Sequence, residues 1–169
     1  MQKASCLQGK WWHVAFFLTA VLIVAADQLS KIWIRANLPD VGQSLFEIGF
    51  FRIVLAPPNT GAAFGLFQGH QFALTIFSLI AVAAILGYAL LFYRRFPLLD
   101  NMSNRIALGL ILGGTVGNLI DRLNPNLEGV TDFISVGIWP TFNVADSAVT
   151  VGAILFAYSL LRLLRAEKH

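Results

Sequence analysis

The chain has 169 residues, of which 57% are hydrophobic and 12% charged, with a mean hydropathy of +0.70 and a formal net charge of +3. A soluble domain carries roughly a quarter charged residues, so this composition excludes a disordered chain and argues against an ordinary soluble domain. The small net charge, with Lys and Arg gathered at the ends of apolar runs, argues equally against a nucleic-acid partner.

The length allows one domain, taken as 1–169. The single cysteine, Cys6, permits neither a disulfide framework nor a cysteine-based zinc site within one chain. The first apolar stretch, 11–36, is long enough to cross a hydrocarbon core of about 30 Å as a helix. Lys10, the apolar run and Val24-Ala25-Ala26 also have the outline of a signal peptide. Against that, the helical pattern continues through Asp27-Gln28-Leu29-Ser30-Lys31, and removal would leave three spans. Ala4-Ser5-Cys6 lacks the preceding apolar region of a lipid-attachment box.

The segment 37–70 is punctuated by Pro39, Gly42, Gly49, Pro57, Pro58 and Gly61, and Leu45 to Leu55 is rich in Phe, Ile and Val. It is predicted to form short strands, a small sheet resting on the outer leaflet. Three more spans follow at 71–93, 105–123 and 142–164. The predicted fold is therefore an all-α integral membrane protein of four transmembrane helices with a small outer β element between the first two. Lys3, Lys10, Arg94, Arg95, Arg105, Arg162, Arg165 and Lys168 fall on one side, against Lys31, Arg35, Arg52 and Arg122 on the other. The positive-inside rule then places both termini and the 94–105 loop in the cytoplasm.

Ionisable groups inside a membrane are costly, so each invites a functional reading. At 1.5 Å per residue, Asp27 and Lys31 lie about 24 and 30 Å above Trp11, and Asn118 and Arg122 about 20 and 26 Å above Arg105. Asp146 lies about 5 Å below the outer start of the fourth span. The polar groups thus share the outer third of the bilayer. Asp27 and Lys31 stand in the favourable i,i+4 order of a helical ion pair, which serves an interfacial anchor as well as a site. Asp121 reads as part of a snorkelling helix end. Gly109, Gly113 and Gly117 recur every four residues as a close-packing face, and Gly114 beside them lets a chain approach the backbone. His13, His70 and His169 are isolated, and no histidine stands near Ser30, Ser147 or Thr150 to activate a hydroxyl.

Asp132 in Val130-Thr131-Asp132-Phe133-Ile134 and Asp146 in Phe142-Asn143-Val144-Ala145-Asp146-Ser147 are both flanked by apolar residues at the outer end of the bundle. Two close carboxylates resist double ionisation, so such a pair shares one proton. The charged member can deprotonate a water while the neutral member holds a carbonyl, with no metal or other cofactor. Spacing alone leaves open whether the acids react or simply sit at the interface.

Asp27-Gln28-Leu29-Ser30-Lys31, Asn59-Thr60-Gly61-Ala62-Ala63-Phe64-Gly65, Gly113 to Arg122, Val130 to Ile134 and Phe142 to Ser147 resemble, in order, the motifs of bacterial lipoprotein signal peptidase, the signal peptidase II family. The resemblance implies an aspartic endopeptidase of the bacterial inner membrane, cutting diacylglyceryl-modified prolipoproteins just before the lipidated cysteine. It implies Asp132 and Asp146 as the catalytic pair. Asn59, Gly114, Asn118, Arg122 and Asn143 would line the site, and Asp27 and Lys31 would support it. The partners implied are the lipidated substrate and membrane lipid. A monomer suffices, because both acids come from one chain. Ala56-Pro57-Pro58 departs from the residues the family usually carries before Asn59. A transporter would carry its charges nearer the midplane, whereas an assembly factor that binds signal segments without cutting them would tolerate Asn at either acid.

Overall fold

The computed structural model describes residues 2–61, 69–92 and 101–166. Ala62 to Gly65 of the second motif, and Arg94, Arg95, Lys168 and His169, lie outside the described residues. The elements in chain order are α1 (Gln2–Asn37), β1 (Ser44–Ile48), β2 (Phe51–Val54), α2 (Gln71–Gly87), a π-helical turn (Tyr88–Phe92), α3 (Met102–Leu123), β3 (Ile134–Val136) and α4 (Val144–Ala166). Among the described residues, four helices are long and apolar enough to cross a membrane: Trp11–Asn37, Gln71–Leu91, Met102–Leu123 and Val144–Arg165. Helices satisfy their backbone groups internally, which lipid cannot do for them.

The bundle is organised around α3. Asn101 caps its start by accepting from Asn104 N at 3.0 Å. Its glycine stripe faces α1 so closely that a Cβ on Gly109, Gly113 or Gly117 would lie 2.7 Å from Phe16 O, 2.7 Å from Ala20 O or 2.6 Å from Asp27 Oδ2. On the other side, a Cβ on Gly114 would run into Ala145 O. Helices that meet at their backbones gain dispersion contact, the main attraction between helices in lipid. The outer faces stay apolar and uncovered, with Val21 and Leu22 on α1, Phe72 and Phe77 on α2, and Ile154 and Tyr158 on α4 all exposed. Arg105, read from sequence as a loop cation, is instead buried at the start of α3 and donates to Ala89 O at 2.9 Å in the π-helical turn.

At the opposite end of α3 lies a three-stranded antiparallel sheet in the order β1-β2-β3. Two strands come from 37–70 as expected, but the third belongs to the α3–α4 connection. β3 covers the edge that β2 would otherwise leave unpaired, with Ile53 opposite Ile134 and Phe51 opposite Val136. Ile34 of α1 and Leu38, just past its end, pack with Phe133 beneath this sheet, joined by Ile53, Leu55 and Val144. The pairing continues past β2. Ala56 N donates to Asp132 O at 3.0 Å, and Asn59 exchanges two backbone bonds of 2.9 Å with Val130. Pro57 and Pro58 fall between these bonds, where their missing N–H groups sacrifice no pairing. Gly129 admits the Asn59 backbone, since a Cβ there would stand 2.8 Å from Asn59 O. The result is that Asn59 is held alongside Asp132.

Candidate active site

α4 begins with a reciprocal cap. Asp146 N donates to Asn143 Oδ1 at 2.9 Å, and Asn143 N donates to Asp146 Oδ2 at 3.2 Å. This is a capping box, with Asn and Asp in the places usually held by Ser or Thr and Glu. The Asp146 carboxylate is thereby held in the first turn, where the helix dipole favours negative charge. Because Asn143 Oδ1 is taken by the cap, its Nδ2 faces the other way, 2.7 Å from Asp132 Oδ1 and 3.0 Å from Asn118 Oδ1. A single fully buried asparagine therefore holds both acids. The remaining oxygen of Asp132 accepts from Asn59 Nδ2 at 2.8 Å, and that of Asp146 from Asn118 Nδ2 at 2.8 Å.

Asp132 is only 2% exposed. Burial pushes its carboxyl up to about 7 from 3.8, and the negative charge of Asp146 adds to the rise. The amide donors of Asn59 and Asn143, and the more distant Lys31, oppose it without cancelling it. At neutral pH Asp132 is therefore poised between its two forms.

Behind the acids lies a buried cluster of charge. Lys31 Nζ stands 2.8 Å from Asp27 Oδ2, 2.9 Å from Asn118 Oδ1 and 3.4 Å from Asp121 Oδ2, and both Lys31 and Asp27 are fully buried. Asp27 Oδ1 also accepts from Ala145 N at 3.0 Å, a second cap on α4 supplied from α1. Gln28 donates to Asp27 Oδ2, Gly117 O and Asp121 Oδ1.

Asp121 corrects the reading of a snorkelling helix end. It is 1% exposed and accepts from Thr131 N at 3.0 Å. Arg35 donates to Thr131 Oγ1 at 2.7 Å. The residue preceding Asp132 is thus tied down by both its backbone and its hydroxyl. Sequence reasoning passed over Asp121, Thr131, Arg35 and Gly129 as site-building residues. The depth argument that grouped Asn118 with Asp27 places Asp121 about 24 Å above Arg105 and so could have included it. Nothing local marked the other three.

A cavity of about 680 Å³ opens over the two acids. Asn59, Asn118, Arg122, Asp132 and Asp146 all line it, as do Pro57 and Pro58 on one side and Trp139, Thr150 and Val151 on others. Arg122 donates to Gly61 O at 3.4 Å from its place on this wall. Asp27, Lys31, Asn143 and Gly114 stand behind the wall, and Gly114 acts by letting α4 come close. The hydroxyls of Ser30 and Ser147 donate to helix carbonyls, Asp27 O at 2.8 Å and Asn143 O at 3.0 Å. Among the described residues, no group of three or more His, Cys, Asp or Glu side chains could hold a metal ion.

The profile of the family described as Signal peptidase (SPase) II matches residues 19–162. A lipoprotein signal peptidase of Dehalococcoides mccartyi is 52% identical over 142 residues, 83% of this chain and 85% of that one. The lipoprotein signal peptidase of Moorella thermoacetica is 42% identical, covering 86% and 92%. That of Bacillus subtilis is 37% identical with the same coverage. In three dimensions the chain is similar to a bacterial membrane enzyme solved by the in meso method at 2.3 Å, with a TM-score of 0.75, 32% identity and 87% of each chain covered.

Proposed function

The chain belongs to the signal peptidase II family, and we propose that it removes signal peptides from diacylglyceryl-modified prolipoproteins by aspartic hydrolysis at Asp132 and Asp146, cutting just before the lipidated cysteine. The observation that carries this reading is the clasp of both carboxylates by Asn143 at the wall of one cavity. In the proposed reaction Asp146 is the ionised member, supported by the Asn118 and Asn143 donors and by its helix terminus. It takes a proton from water as the water oxygen bonds to the scissile carbonyl carbon. Asp132 is the protonated member and gives its proton to the carbonyl oxygen, forming a neutral gem-diol. Collapse of the diol breaks the C–N bond, Asp146 delivers its proton to the departing amine of the cysteine, and a diol hydroxyl returns a proton to Asp132.

The surroundings agree with such a substrate. Trp139, Val151 and the two prolines give the cavity apolar walls for a lipidated residue, while Asn59, Asn118 and Arg122 offer polar groups to a peptide backbone. The distribution of Lys and Arg supports a location in the bacterial cytoplasmic membrane with both termini inside and the acids near the outer leaflet. Both acids come from one chain, which supports a monomer as the working unit, and no nucleic acid enters the reaction.

The test is cleavage of a diacylglyceryl-modified prolipoprotein by purified protein in lipid, beside folded Asp132→Asn and Asp146→Asn. Wild type should cut and both variants should be inactive. A variant that retains near-full activity would remove that residue from the pair. A folded wild type that binds but never cuts would favour the signal-segment binder.

A further inference from the structure

Lys31 is fully buried and stands behind the cavity wall, so it touches no substrate there. Its ammonium is nevertheless one side chain removed from Asp146. An ammonium has donors only, so the Asn118 atom it meets at 2.9 Å is the carbonyl oxygen Oδ1. That assignment turns the other end of the amide, Nδ2, toward Asp146 Oδ1 at 2.8 Å. Asn143 Nδ2 also donates to Asn118 Oδ1, at 3.0 Å, which reinforces the same orientation. We propose that Lys31 is a positioning residue that fixes the Asn118 amide so that its NH₂ faces Asp146 and keeps that carboxylate in its reactive, ionised form. The inference rests on the reading of Asp132 and Asp146 as the catalytic pair.

Without the ammonium, Asn118 Oδ1 keeps only its Asn143 donor, and the amide is free to turn. Its oxygen then faces Asp146 Oδ1, two acceptors in contact, and the pair is relieved when Asp146 takes a proton. A protonated Asp146 cannot draw a proton from water. The charged groups facing this relay are Asp27 and Arg35 from α1, Asp121 and Arg122 from α3, and Asp132 from the α3–α4 connection. Of these, Asp27 and Asp121 contact Lys31 directly. Removing Lys31 alone therefore strands buried negative charge, which is strongly destabilising in itself.

The test uses the full chain in lipid and the paired variant Asp27→Asn/Lys31→Met. This pair removes one charge of each sign, and the introduced amide keeps an oxygen able to accept from Ala145 N. The readout is kcat/KM for a lipidated prolipoprotein against pH. The acid limb should move up by about one pH unit, a loss of about tenfold below it that closes as pH rises. Asp27→Asn/Lys31→Gln restores an uncharged donor and should bring the limb back toward wild type. A folded Met pair whose profile has the wild-type midpoint, whatever its rate, overturns the proposal. In the unaltered protein, the side-chain ¹⁵N resonance of Asn118 should titrate with the same midpoint as the acid limb. A flat resonance also overturns the proposal, and it needs no variant to fold. Failure of the underlying catalytic reading shows separately, as wild type that does not cut or an active Asp132→Asn or Asp146→Asn.

Discussion

Replacing Asp132 with asparagine should make the protein less stable in acid and more stable at neutral pH. In the folded protein the Asp132 carboxyl titrates at about 7, against 3.8 for an ordinary aspartate, because it is buried and faces Asp146. Between those values the folded state keeps a proton that the unfolded state has released, so stability falls as pH rises from about 4 to about 7 and is flat above. At 1.36 kcal/mol per pH unit, the gap of about three units corresponds to a loss of up to about 4 kcal/mol. The substituted amide cannot ionise and escapes this loss. It also incurs a pH-independent penalty, since its NH₂ must face one of the two amide donors, Asn59 Nδ2 or Asn143 Nδ2, that now bond the carboxylate. That mismatch costs about 1–3 kcal/mol. The difference between variant and wild type should therefore change sign between pH 4 and pH 8. Thermal unfolding in detergent should show it as crossing melting curves, at about 2–4 °C per kcal/mol for a chain of this size. Parallel pH dependences for the two proteins would refute the argument that burial holds a proton on Asp132.

Asn143→Ala removes the cap on Asp146 N and the donor to Asp132, so it should cost about 1–2 kcal/mol in stability and lower cleavage at least about 100-fold. A folded variant with near-wild-type turnover would show that the clasp is dispensable. Gly114→Ala places a methyl where the Ala145 carbonyl sits and should push back the first turn of α4, costing about 1–3 kcal/mol and disturbing Asp146. Gly87→Ala, with nothing within 4 Å of its new Cβ, should be tolerated, and equal effects of the two substitutions would contradict the close-packing account. Cleavage should survive EDTA, whereas a loss restored by a divalent metal would contradict reaction by the acid pair alone.

Much of the fold was legible in one dimension because a membrane imposes one-dimensional rules. About 20 apolar residues make a span, and the stripe of Gly109, Gly113 and Gly117 marks a packed face before its partner is known. The common depth of Asp27, Lys31, Asn118 and Asp146 followed from helical rise, and the structure brings these side chains into one network. The same arithmetic was applied too narrowly to Asp121, whose place at a helix end made it look like an exposed terminus. It is in fact buried, because Lys31, Arg35 and the Thr131 backbone converge on it from elements far apart in sequence. β3 was hidden for a related reason. Three residues, Ile134-Ser135-Val136, carry little periodic signal, and their strand character comes from the edge of β2.

Four apolar spans, a short sheet and a candidate pair of acids can be read along the chain, since these depend on hydropathy, helical period and motif order. How the acids are held became visible only in three dimensions. Whether Asn143 caps a helix, bridges two carboxylates or does both depends on which way its amide faces. That orientation is set by acceptors on Asn118 of α3 and on Thr131 and Asp132 of the α3–α4 connection, with the Asp146 N–H of α4 on the other side. Hydrogen bonding between distant segments leaves no period in a sequence, so the network that binds Lys31, Asn118, Asn143 and the two aspartates could be read only once the chain had folded around it.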